Sequence, residues 1–346
     1  MTIEGGATVD FSNAGTLAGL VLKPTNTSTI GLTNITSLTR SSVVLDLSTL
    51  DRTNMTYGST FKIVTGTAGT ITSSLMTQVS GDDWYSLSYN EAGSELVVSK
   101  LADPKKKFMH YDFNSQSSGA AQNLASDSES YITSFNDGNG ATLTLSKRGK
   151  TGTSAKIVSG STPYYSGISA GKQFLYSKAL SVTTVARVMC APTSGNKVIL
   201  WGIGSMQPQV DSGATSLFLV AVDTNTVALV EGTSTARVVQ EICRVTGIKN
   251  LTTEFHFFAI VIDGALATLY VDKLAPQTGT NIATDLGQCG QFGSTFRGLP
   301  NDGYQVVDST GYYLDDWAIY DLALTADEVN ALRKKYCPTP FMITAE

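Results

Sequence analysis

At 346 residues the chain is long enough for two domains, or for one large β domain with an addition. A net charge of −5 and a pI near 5.1 exclude a general attraction to nucleic acid or to anionic membrane, and the one dense basic run, Lys105-Lys106-Lys107, reads as a solvated linker. No run of about 18 apolar residues is present to cross a bilayer, so no direct membrane insertion is expected of this fragment.

The 32 glycines, the abundant Ser and Thr, and a single well-capped helix pattern point to an all-β protein. The opening Met1-Thr-Ile-Glu-Gly-Gly6 has neither a basic nor an apolar signal-peptide region, yet a strand pattern begins at residue 2. The expectation is a piece of a larger exported protein. Cys190, Cys243, Cys289 and Cys337 lie far apart without a Cys-x-x-Cys pair, which argues against zinc and thioredoxin-type chemistry; two disulfides and free thiols both stay open.

From Thr2 to Lys100, short alternating strands are separated by Gly, Asn, Ser and Thr. Examples are Ala7–Phe11, Leu17–Leu22, Val43–Leu47, Phe61–Val64 and Glu95–Val98. Strand-length pieces recurring without helices suggest stacked rungs or a small sandwich. Thr2 to Phe11, Gly15 to Leu22 and Tyr85 to Val98 resemble autotransporter-associated β-strand repeats, and the resemblance implies a parallel β-solenoid over residues 1–102. Residues 103–107, with Pro104 and the lysine run, form the expected linker.

The second unit is expected over 108–337, with a tail over 338–346. Its strand patterns begin at Phe108–Asn114 and continue at Ala141–Ser146, Ser181–Cys190 and Lys197–Ile203. Two hairpins follow, Leu217–Val222 with Val227–Val230, and Phe257–Ile262 with Leu266–Val271 through Asp263-Gly264. The closing stretch Gly311–Leu324 alternates so that Asp315, Trp317 and Ile319 share one face and Asp316, Ala318 and Tyr320 the other. A helix then starts at Thr325 as N-cap, with Glu328 completing a capping box and Leu324 stapling Val329.

These residues, Gly311, Leu314 to Trp317, Ile319, Tyr320, Ala323 to Thr325 and Glu328, resemble the end of laminin-G-like, concanavalin A-like jelly-roll domains of bacterial surface proteins. Phe108–Asn114 resembles their opening strand. Phe257 to Asp272 resembles their central hairpin, with Lys273 in place of the usual final Gly. The resemblance implies a jelly-roll β-sandwich whose first and last strands are neighbours, with a short C-terminal helix. Family members often hold calcium with acidic side chains, which makes Asp112 and Asp316 the candidate metal ligands. The competing reading has Asp316 accepting hydrogen bonds from loop backbone or from the C-terminal helix.

Catalysis finds little support in the residues. The paired-carboxylate run E-x-D-x-x-E of β-glucanases on this sandwich is missing, no G-x-S-x-G elbow occurs, and Ser134–Thr142 departs from the sialidase box at Asn136 and Gly140. His256, flanked by Phe255 and Phe257, reads as a packed histidine, and His110 carries no pattern. Trp201 and Trp317 read as core.

Sugar binding needs an exposed aromatic beside amide, acid or guanidinium groups. The candidates are Tyr164, Tyr165, Arg297, Asn301, Asp302, Tyr304 and Tyr312. The expected function is a non-catalytic extracellular binding or adhesion module at the bacterial cell surface, recognising carbohydrate or another extracellular ligand. The alternatives are an accessory carbohydrate-binding domain of a glycoside hydrolase or peptidase, and a structural stalk segment.

Overall fold

A computed structural model describes residues 1–40, 42–82, 84–101, 103, 107–114, 116–117, 120–121, 124, 136–137, 142–146, 153–158, 168–169, 179–188, 191–192, 197–204, 215–233, 238–280, 290–292 and 311–337. The chain divides into two compact units, Met1–Lys105 and Lys106–Glu346, and the division falls within the segment 103–107.

The first unit is a parallel β-solenoid closed by a hairpin. Its labelled strands are β1 (Thr2–Glu4), β2 (Thr8–Asp10), β3 (Leu20–Lys23), β4 (Ile30–Thr33), β5 (Val43–Asp46), β6 (Thr60–Gly66), β7 (Gln78–Ser80), β8 (Tyr85–Tyr89) and β9 (Glu95–Lys100), and the two-residue strands Thr16–Leu17 and Thr39–Arg40 pair in parallel beside them. One sheet runs β1-β3-β5-β7, all parallel. The other begins β2-β4-β6 in parallel, then turns antiparallel through β9 and β8.

Alternation drives this stacking. Leu20, Leu22, Val43 and Leu45 point inward and are fully buried, as are Ile30, Leu32 and Val64 on the facing sheet. Between rungs, Asp10, Asp46 and Asp51 fold their carboxylates onto the turns that follow them.

The second unit is a β-sandwich. Its labelled strands are β10 (Lys107–Tyr111), β11 (Thr142–Ser146), β12 (Ser154–Val158), β13 (Ala179–Val188), β14 (Val198–Gly204), β15 (Thr215–Ala221), β16 (Thr226–Thr233), β17 (Val238–Thr246), β18 (His256–Asp263), β19 (Leu266–Val271), β20 (Gln277–Thr280) and β21 (Gly311–Tyr320), followed by helix α1 (Ala326–Tyr336). One sheet has the order β11-β12-β21-β13-β18-β19-β20, and β10 also pairs with β21. The first and last strands of the unit are thus antiparallel neighbours. The other sheet ends in β14-β15-β16-β17 and includes the two- and three-residue strands at 136–137, 168–169 and 290–292.

The inner faces meet in one core. Val182, Ile260, Leu269 and Leu314 from the first sheet pack with Leu200, Leu217, Leu219 and Leu229 from the second. Trp201 and Trp317 are fully buried, and their rings meet edge to face with centroids 6.5 Å apart, tying one sheet to the other. Phe218, Val220, Ala228 and Val230 form a second buried cluster on the opposite face of β15 and β16. Burial on both faces accounts for the unbroken apolar run Leu217–Val222.

At one edge the sheets come so close that a Cβ on Gly279 would lie 2.1 Å from the Ile242 carbonyl oxygen, so β20 needs glycine there. Helix α1 starts as its sequence dictates. Thr325 accepts a hydrogen bond from Glu328 N at 3.4 Å, and Glu328 Oε2 accepts from Thr325 N at 2.8 Å. Ser181 on β13 locks the turn before it, donating to Leu322 O at 2.8 Å and accepting from Leu324 N at 2.9 Å.

One feature of β21 corrects the alternation expected from sequence. Tyr312 and Leu314 share the core with Trp317 and Ile319, so the strand shifts phase between Leu314 and Trp317. The cause is a β-bulge. Thr183 pairs with Ala318 and Val185 with Asp315, so Asp316 and Trp317 both stand opposite Thr184, and Asp316 has a φ of 47°. Asp315 does not belong to the Trp317 face.

Candidate functional site

The sequence candidates meet different fates. Tyr164, Tyr165, Arg297, Asn301, Asp302 and Tyr304 lie outside the described residues, as do Cys190 and Cys289. Tyr312 is described, and it is no exposed platform. It is 1% exposed and belongs to the core between the sheets, because the phase of β21 turns it inward with Leu314. Burial pushes its phenol well above the ordinary range and keeps it neutral. Its neighbour Tyr313 is covered by the Arg187 guanidinium, 4.6 Å from the ring centre.

The candidate metal pair sits where β10 ends beside the bulge of β21. Tyr111 pairs with Trp317, so Asp112 leaves the ladder next to Asp316. Asp112 Oδ1 accepts from Asn114 N at 3.0 Å and closes a tight turn, and Asn114 Oδ1 in turn accepts from Thr153 N at 2.7 Å. Asp316 is buried, with Oδ1 3.9 Å from His110 Nε2, and the His110 ring lies edge-on to Tyr336 of α1.

Calcium takes about six to eight oxygens. One of the two carboxylates is tied into its own turn, the other faces an imidazole, and no group of three or more His, Cys, Asp or Glu side chains converges among the described residues. Among the described residues the two carboxylates are a part of such a donor set and not the whole of it.

A second acid–histidine pair lies at the end of the hairpin β18-β19. Asp272 has a φ of 46° and turns its carboxylate back across the hairpin. Its Oδ1 accepts from Phe257 N at 2.9 Å and its Oδ2 contacts His256 Nδ1 at 2.6 Å, so His256 carries the proton on Nδ1. The packed histidine expected from sequence is thus a buried histidine held by an acid 16 residues away.

Asp272 also borders a cleft of about 230 Å³. On one side stand Tyr270, Lys273 and Leu274, and on the other the α1 residues Ala326, Val329, Asn330 and Arg333, which share a face by their spacing of three and four. Sequence reasoning did not find this cleft, since its two walls are some 60 residues apart. The one local signal was Lys273, standing where the resembling hairpins carry Gly.

No protein-family model matches the chain, and no curated protein matches it in sequence. Among solved structures it is similar to the receptor-binding domain of botulinum neurotoxin type G, at 12% identity and a TM-score of 0.47, over 67% of this chain and 51% of that one. It is also similar to the binding domain of Paraclostridial mosquitocidal protein 1, at 14% identity and a TM-score of 0.44, over 67% and 52%. A third likeness is to domain 4 of a GH43 extracellular arabinanase from Geobacillus stearothermophilus, solved with arabinotriose, at 18% identity and a TM-score of 0.47, over 66% of this chain and 98% of that one. The chain spans about half the length of the toxin binding domains it matches. Likeness at these scores transfers no property to this chain.

Proposed function

We propose that the protein is a non-catalytic binding module of an exported bacterial surface protein, in which the β-sandwich unit recognises carbohydrate or another extracellular ligand and the solenoid unit serves as its stalk. The observation that carries this reading is where the polar chemistry goes. In the sandwich, buried Asp316 and the partly exposed Asp272 pair with histidine and hold backbone and imidazole in place, and buried Glu328 closes a capping box. Among the described residues, a cleft lined by an aromatic, an amide, two cations and Asp272 is turned to solvent. That is equipment for holding a ligand.

The stalk reading alone has its own support in the parallel rungs of the first unit, since a solenoid makes a repetitive spacer. Among the described residues no helix is long and apolar enough to cross a membrane. An array of glycans and extracellular matrix proteins distinguishes the two readings. The binding module predicts saturable binding by the whole chain that is lost when Phe108 to Tyr336 are deleted. Uniform absence of binding leaves only the stalk.

A further inference from the structure

We infer that the cleft between the end of β19 and helix α1 binds a small acidic sugar, its carboxylate held between Lys273 and Arg333 and its ring against Tyr270. This deepens the binding-module reading and rests on it. The charges come first. Lys273 and Arg333 face the cleft from opposite walls, and neither has a carboxylate partner among the described residues. The one acid in the lining, Asp272, directs its two oxygens to Phe257 N and His256 Nδ1 and forms no ion pair with either cation, so two positive charges face one negative charge around the cleft.

Helix polarity accounts for cations in the last turn of α1, where Lys334 and Lys335 accompany Arg333. It does not account for Lys273, which stands on the hairpin across the cleft. Arg333 is also oriented: its Nη2 donates to Asn330 Oδ1 at 2.6 Å, which fixes the guanidinium along the helix face with its remaining N–H groups free to meet a carboxylate.

The rest of the lining suits a sugar ring better than a bare anion. Val329 forms a buried apolar floor, Leu274 and the half-buried Tyr270 add apolar wall, and the Asn330 amide is within the same lining to meet hydroxyls. Burial raises the Tyr270 phenol, which stays a neutral donor. The volume, about 230 Å³, falls below the roughly 300–1,000 Å³ of pockets for drug-sized ligands, so the cleft takes a single ring.

The test is an NMR titration of the intact chain with methyl glucuronide, with methyl glucoside as its neutral isostere and with sodium sulfate as an anion without a ring. Each is repeated on the K273Q/R333Q double variant after its melting temperature is shown to match the parent. The expected result is glucuronide binding that weakens at least about tenfold in the variant, with the glucoside and sulfate far weaker than glucuronide on the parent. No glucuronide binding at millimolar concentration overturns the inference, as does binding that the variant leaves unchanged. Equal binding of the glucoside overturns the anionic part, and equal binding of sulfate overturns the sugar part. Neutral glycans captured on the array by both parent and variant would keep the binding module and remove this cleft from it.

Discussion

Trp317 connects the chemistry of one residue to the integrity of the sandwich. Its ring meets Trp201 across the sheets and Tyr111 of β10 at 6.2 Å, with no exposed surface. Trp317→Ala empties that junction and is expected to cost about 3–5 kcal/mol in chemical denaturation. A loss below about 1 kcal/mol would mean that the indole is not part of the core.

One residue before it, Asp316 bears a left-handed backbone that aspartate tolerates better than most residues. It holds that position facing His110, which gives the buried carboxylate a local partner. The expectation from geometry is that chelator and added calcium leave the melting temperature of both the parent and Asp316→Asn unchanged. A calcium-dependent rise in the parent that the variant lacks would restore the metal ion implied by the jelly-roll resemblance.

Among elements, those written by local rules were legible in the sequence. The capping box at Thr325 and Glu328 and the Asp263-Gly264 hairpin each depend on residues within about four positions of one another, and each stands where the pattern put it. The bulge of β21 was not legible, because alternation assumes that every residue advances the strand by one step and nothing in Leu314-Asp-Asp-Trp317 announces the extra one. Tyr312 was misread for the same reason: a strand tyrosine beside a loop looks exposed until the facing sheet is known. The cleft needed contact between a hairpin and a helix far apart in the chain, which no local pattern encodes.

The turns of the solenoid carry a pH dependence. Asp10, Asp46 and Asp51 have carboxyls held below the ordinary carboxylate value, chiefly by the side chains of Asn34, Ser48 and Thr53 respectively. Because the folded values lie below the unfolded one, near 3.9, their contribution is complete above about pH 4 and is lost as pH falls through the lowered values. Thermal melts should therefore show the first unit weakening below about pH 4, with Asp46→Asn flattening part of that slope. A first unit equally stable at pH 5 and pH 3 would show that these turns contribute no such term.

At the scale of the whole molecule, the two units have separate cores, one built from stacked parallel rungs and one from facing sheets. Limited proteolysis is expected to cut near Lys105 to Lys107 and to leave a folded fragment that begins at the sandwich. An unfolded C-terminal fragment would mean that the halves depend on each other.

Under the proposed function the sandwich binds a ligand and leaves it chemically unchanged. The most direct measurement incubates the intact chain with the glycans it retains on an array, then recovers them and weighs them by mass spectrometry. Saturable retention, with recovery of every glycan at its original mass, is expected. A shortened or otherwise altered glycan, produced in proportion to time and protein, would contradict it.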